Sequence, residues 1–71
     1  MSSNNKVRYV VTKSEYDILY SVECICDNVV VCAVRNVSSD RAKAEMFCRF
    51  LNENHVSPVH FYDVFEEYFY G

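Results

Sequence analysis

The hydrophobic period of this chain changes once, near residues 36–38, and that change constrains the fold more than any other feature. Before it, apolar residues recur at every second position. Val7, Tyr9 and Val11 alternate with Arg8, Val10 and Thr12, and Ile18, Tyr20, Val22, Cys24 and Cys26 alternate with Asp17, Leu19, Ser21, Glu23 and Ile25. Val29, Val31 and Ala33 then alternate with Val30, Cys32 and Val34. A period of two places successive side chains on opposite faces of a strand. After the change, Ala44, Phe47, Phe50 and Leu51 recur at spacings of three and four, as do Phe61, Val64, Phe65, Tyr68 and Phe69. That is the spacing of one helical face. The expected fold class is α+β: a three-stranded antiparallel β-meander with two C-terminal helices packed on one face, in the order βββαα.

Turn chemistry sets the expected register. Ser14-Glu15 and Asp27-Asn28 are read as two-residue loops, and Asn28 tolerates the positive φ that such a hairpin needs. Val11 then faces Ile18, Tyr9 faces Tyr20 and Val7 faces Val22, while Cys24 faces Val31 and Val22 faces Ala33. Both loops place Val7, Tyr9, Val11, Ile18, Tyr20, Val22, Cys24, Val29, Val31 and Ala33 beneath the helices, because residues directly opposite share a face. The other face then carries Val10, Leu19, Ile25, Val30, Cys32 and Val34, diluted by Arg8, Thr12, Ser21 and Glu23. In the second half, Ser38-Ser39-Asp40 offers helix N-caps. Ser57 caps the last helix, with Pro58 at its first position and Val56 stapled to Phe61.

At 71 residues the chain makes one domain, expected over residues 6–71, behind a disordered tail at residues 1–5. The tail has no apolar segment of a secretory leader, and no apolar run reaches the ~20 residues that cross a bilayer. The setting is expected to be cytoplasmic, with Cys24, Cys26, Cys32 and Cys48 as reduced thiols. The net charge of −3 arises entirely from Asp63, Glu66 and Glu67, since acids and bases cancel up to Glu53. With no basic stripe, nucleic acid is not an expected partner.

Chemistry has little to build on. Cys24 and Cys26 with His55 and His60 sketch a zinc set, but Cys-x-Cys on a strand lacks the loop spacing of structural zinc sites and reads as core. His60 and Asp63 lie one turn apart, yet no nucleophile or oxyanion loop accompanies them. Glu66 and Glu67 are adjacent on a helix and point apart, so they make no two-carboxylate hydrolase pair. The single Gly excludes phosphate-binding loops. No catalytic residue, metal, cofactor or small-molecule substrate is expected.

The second half resembles an uncharacterised family of short proteins from Clostridia and related Firmicutes that has no assigned activity. The resemblance rests on Ser38-Ser39-Asp40-Arg41 at a helix start, Leu51-Asn52-Glu53-Asn54, Ser57-Pro58, His60, Asp63-Val64 and Glu66-Glu67 before an aromatic end. Ala42 departs from it, at a position where an acidic residue would complete a capping box. The resemblance implies a bacterial or phage setting. The expected function is that of a small non-enzymatic protein-protein interaction protein, an inhibitor or regulator acting by surface occupation. The alternative is a structural homo-oligomer or accessory subunit, and a small metal-binding or enzymatic domain ranks third. The candidate contact residues are Val10, Leu19, Ile25, Val30 and Val34 on the outer sheet face and Tyr62, Asp63, Glu66, Glu67 and Tyr70 on the last helix. An apolar outer face and aromatics among acids are the features that mark them.

Overall fold

In the computed structural model, residues 6–71 are described; the expected tail at residues 1–5 lies outside the described residues. Three strands, β1 (Val7–Thr12), β2 (Tyr20–Cys26) and β3 (Val29–Ser38), form one antiparallel sheet in the order β1-β2-β3. Two helices follow, α1 (Arg41–Glu53) and α2 (Phe61–Tyr70), with a single 3₁₀ turn at Pro58–His60 leading into α2. Both helices pack on one face of the sheet, giving the expected βββαα order.

The hairpin between β2 and β3 forms as its sequence directs. Asp27 and Asn28 have φ of 54° and 66°, and Cys26 pairs with Val29 and Ile25 with Val30. The two positive φ values give the turn the hand that matches strand twist.

The first connection departs from expectation. The backbone N–H of Asp17 donates to the Ser14 carbonyl (3.0 Å) and that of Tyr16 to the Ser14 hydroxyl (3.2 Å), so the turn spans Ser14 to Asp17. Tyr16, Asp17, Ile18 and Leu19 therefore precede β2 instead of belonging to it, and Ile18 is 82% exposed. Val11 pairs with Val22, Tyr9 with Cys24 and Val7 with Cys26. The slip is an even number of residues, so Tyr9, Val22 and Cys24 still face the helices and are buried.

β3 breaks the expected parity. Between the Ile25–Val30 and Cys24–Cys32 pairs, Val31 is an extra residue on β3. A one-residue bulge exchanges the faces of everything beyond it. Val34, expected on the outer face, pairs with Val22 and is 4% exposed within the core, and Cys32 also packs against the core. Val31, expected beneath the helices, is 51% exposed, and Ala33 is exposed as well. A second irregularity between the Val22–Val34 and Tyr20–Ser38 pairs holds Asn36 at φ 60° and lets Val37 reach the core.

α1 lies directly on the sheet. Asp40 is its N-cap, with a carboxylate oxygen accepting the Ala42 N–H at 2.9 Å. The third helical position is then Lys43, so Ala42 is not where a capping-box acid would stand. Ala44, Phe47, Cys48 and Leu51 are buried, whereas Phe50, expected in the core stripe, is turned to the flank and partly exposed. α1 ends in a Schellman motif: Val56 N–H reaches the Leu51 carbonyl (3.1 Å), His55 N–H reaches that of Asn52 (3.3 Å), and His55 sits at φ 49°. Phe61 closes the core against Tyr9, their rings edge-to-face at 4.9 Å. Phe47 is the hub of the aromatic layer that holds α2 to α1, meeting Phe65, Tyr68 and Phe69 at 5.9, 5.0 and 5.2 Å. Ser57 occupies the cap position before Pro58 without a side-chain cap bond, and Val56 shares the core cluster with Phe61.

Candidate functional site

The outer sheet face is less apolar than alternation suggests. Cross-strand rows on this side run Arg8–Ile25–Val30 and Val10–Glu23–Ala33. Of the expected contact residues, Val10, Ile25 and Val30 lie on it, Val34 is inside the core, and Leu19 sits half-buried in the loop before β2. A depression toward the far end of this face is polar, lined by Ser21, Glu23 and Arg35 among others. What remains apolar is a corner made by Ile25, Val30 and the bulged Val31.

The two edges of the sheet differ. On β1, the Tyr9 N–H donates to Oδ1 of Asn52 (2.8 Å), while Nδ2 of Asn52 and Sγ of Cys48 donate to the Tyr9 carbonyl (3.1 and 3.0 Å). One helix thus answers the polar groups that an edge strand would otherwise offer. No such side-chain cap is seen along β3 between Val29 and Val31 among the described residues, and Val29, Val30 and Val31 are all more than half exposed.

A cleft of about 560 Å³ opens between the C-terminal end of α1 and the face of α2 that runs from Asp63 to Tyr68. Phe50, Val56, Val64 and Tyr68 give its lining an apolar character, and Asn54, His60, Asp63 and Glu67 line it as well. The Phe50 and Tyr68 rings meet at 5.2 Å and form one side of it. Asp63 and Glu67, with Glu66 and Tyr70, also line a second depression further along α2. The helix therefore gathers Asp63, Glu66, Glu67 and Tyr70 around one concave region, while Tyr62 stands exposed beside Phe65, 6.3 Å between ring centres. The cleft itself was hidden by assigning Phe50 to the core. Its signal is that Phe50 and Leu51 are adjacent, so on a helix only one can point straight at the sheet.

Reactive side chains are not brought together. Cys24 is fully buried, while Cys26 and His55 border a different shallow pocket with Val7 and Pro58. Among the described residues no three His, Cys, Asp or Glu side chains converge as metal ligands. Burial, and secondarily the Glu45 charge, pushes the Cys48 thiol above its ordinary range, so it stays protonated as a donor to Tyr9. It lies in the core, away from the cleft that His60 and Asp63 line. Burial likewise raises the Tyr9 phenol, which donates to the Val56 carbonyl at 2.7 Å. No helix among the described residues is long and apolar enough to cross a membrane.

The model of a family of unknown function, DUF6514, matches residues 2–70, which takes in the strand half as well as the helical half. The chain belongs to that family. No curated protein and no solved structure matches it.

Proposed function

We propose that this member of DUF6514 acts by occupying the surface of another protein and carries out no chemistry of its own. The supporting observation is the cleft between α1 and α2, whose lining joins the aromatic and aliphatic side chains of Phe50, Val56, Val64 and Tyr68 to a few polar ones. Apolar concavities with a few polar groups, and exposed aromatics beside them, are what binding surfaces are built from. Tyr70, 79% exposed, adds an amphipathic ring to the depression that adjoins the cleft past Asp63 and Glu67. A bacterial or phage regulator that blocks a partner's surface fits this reading, in a cytoplasm that keeps the thiols reduced.

The test is capture from the native host with the whole chain and with surface variants that leave the core untouched. A partner retained by the parent and lost on Glu67→Lys or Tyr70→Asp, with unchanged thermal melts, supports the reading. A partner lost to none of the exposed-residue substitutions sinks it.

A second reading has its own observation. The open β3 edge with Val29, Val30 and Val31 exposed favours a homo-oligomer formed edge to edge. Light scattering decides: a dimer mass that reverts to monomer on Val30→Lys supports self-association, and a monomer mass for the parent at high concentration removes it.

A further inference from the structure

We propose that the α1–α2 cleft receives a short amphipathic helix of a partner protein, with an apolar anchor seated between Phe50 and Tyr68 and a Lys or Arg one turn away on Asp63 and Glu67. This rests on the docking reading above and adds the chemistry of the partner.

Four observations converge on a cationic occupant. Every Lys and Arg of the chain lies at or before Arg49, so α2 has no base of its own. Among the described residues the ion pair formed is Arg41–Glu45, at the far end of α1, which leaves Asp63, Glu66 and Glu67 without a cation within bonding distance. Asp63 and Glu67 are four residues apart on α2, and like charges at that spacing repel. Glu66 and Glu67 also stand in the C-terminal half of the helix, where the macrodipole disfavours negative charge. The free chain therefore holds two unfavourable electrostatic arrangements beside an apolar cleft, and a positive group relieves both.

The occupant is helical because the cleft is walled by helix side chains and offers no unpaired strand edge. Recognition there is by side chains at i and i+4, as when an amphipathic helix enters an apolar groove. An anionic partner would meet the carboxylates of Asp63 and Glu67.

The experiment titrates the ¹⁵N-labelled full chain with two synthetic helical peptides sharing one leucine face, one flanked by lysines and one by glutamates. The lysine peptide is expected to shift the amides of Phe50, Val64, Glu67 and Tyr68 while leaving Ile25 and Val30 unmoved. Affinity should fall by roughly fivefold in the isosteric double variant Asp63→Asn/Glu67→Gln and weaken with added salt. Equal binding of both peptides at the cleft overturns the charge assignment, yet leaves the docking reading standing. Shifts confined to the sheet overturn the location, and silence from both peptides up to millimolar overturns the proposal. Displacement of the lysine peptide by raising the concentration of the chain itself identifies the occupant as a second copy of this chain and also overturns it.

Discussion

Asn52 answers both main-chain polar groups of Tyr9 from one amide, accepting at 2.8 Å and donating at 3.1 Å. Its side chain is only partly withdrawn from water, so Asn52→Ala should cost about 1–2 kcal/mol, the worth of two modest hydrogen bonds. Urea titration reads that loss, and an unchanged midpoint would show that water replaces the amide without penalty. His55 offers the opposite change. It occupies the left-handed position that ends α1, at φ 49°, where glycine has no Cβ to clash. Left-handed backbone costs an L-residue ~1–2 kcal/mol, and the added freedom of glycine in the unfolded chain returns part of it. His55→Gly should therefore stabilise by roughly 0.5–1 kcal/mol, a rise of a few degrees in Tm for a domain this small. A lower Tm would mean the imidazole makes contacts worth more than the strain.

At the scale of elements, the bulge in β3 is the feature with most consequence. Uninterrupted alternation puts Ala33 inside and Val34 outside, and the bulge at Val31 reverses both. Val34→Asp then buries an unpaired charge against Val22, at a cost of several kcal/mol. Total stability for 71 residues is about 4–10 kcal/mol, so this variant should be largely unfolded by circular dichroism. Ala33→Lys should change stability by no more than about 0.5 kcal/mol. The reverse pair of results would restore strict alternation. Element order, the Asp27-Asn28 hairpin, the Asp40 cap and the burial of Tyr9, Val22 and Cys24 were all legible, because each is set by local chemistry or by an even-numbered register. The bulge was not, since Val29 to Val34 contains no polar residue to mark a side. Arg35 carried the missing signal: strict alternation places it in the roofed register with Ala33, where a guanidinium has no partner, and in the fold it is exposed. The Ser14 turn was misread because Ile18 extends the alternation of β2 although its backbone turns before pairing begins. The exposed rings of α2 could be read from their offset to the stripe, but the cleft needed the angle between helices.

For the molecule as a whole, the core is held by groups that must keep their protons. Cys24, Cys48 and Tyr9 are buried together between α1 and the sheet, and burial raises all three above their ordinary values of 9.0 for the thiols and 10.0 for the phenol. In the unfolded chain each ionises near its ordinary value, whereas in the fold it remains neutral. Above about pH 8 the folded state thus binds more protons than the unfolded one, and stability must fall as pH rises. The contribution of these groups is complete below the unfolded values and is lost progressively above them, thiols first and the phenol after. Urea midpoints measured with reductant present should hold steady from about pH 7 to 8 and decline from about pH 9 upward. Tyr9→Phe loses the bond to the Val56 carbonyl and should be weaker at neutral pH by about 1 kcal/mol. Above pH 10, however, its midpoint should fall less steeply than the parent's, because the ring no longer carries a proton that unfolding releases. A parent whose midpoint stays flat through that range would mean that water reaches these groups in the folded state, and that the Tyr9 layer is not the sealed floor on which α1 and the cleft above it depend.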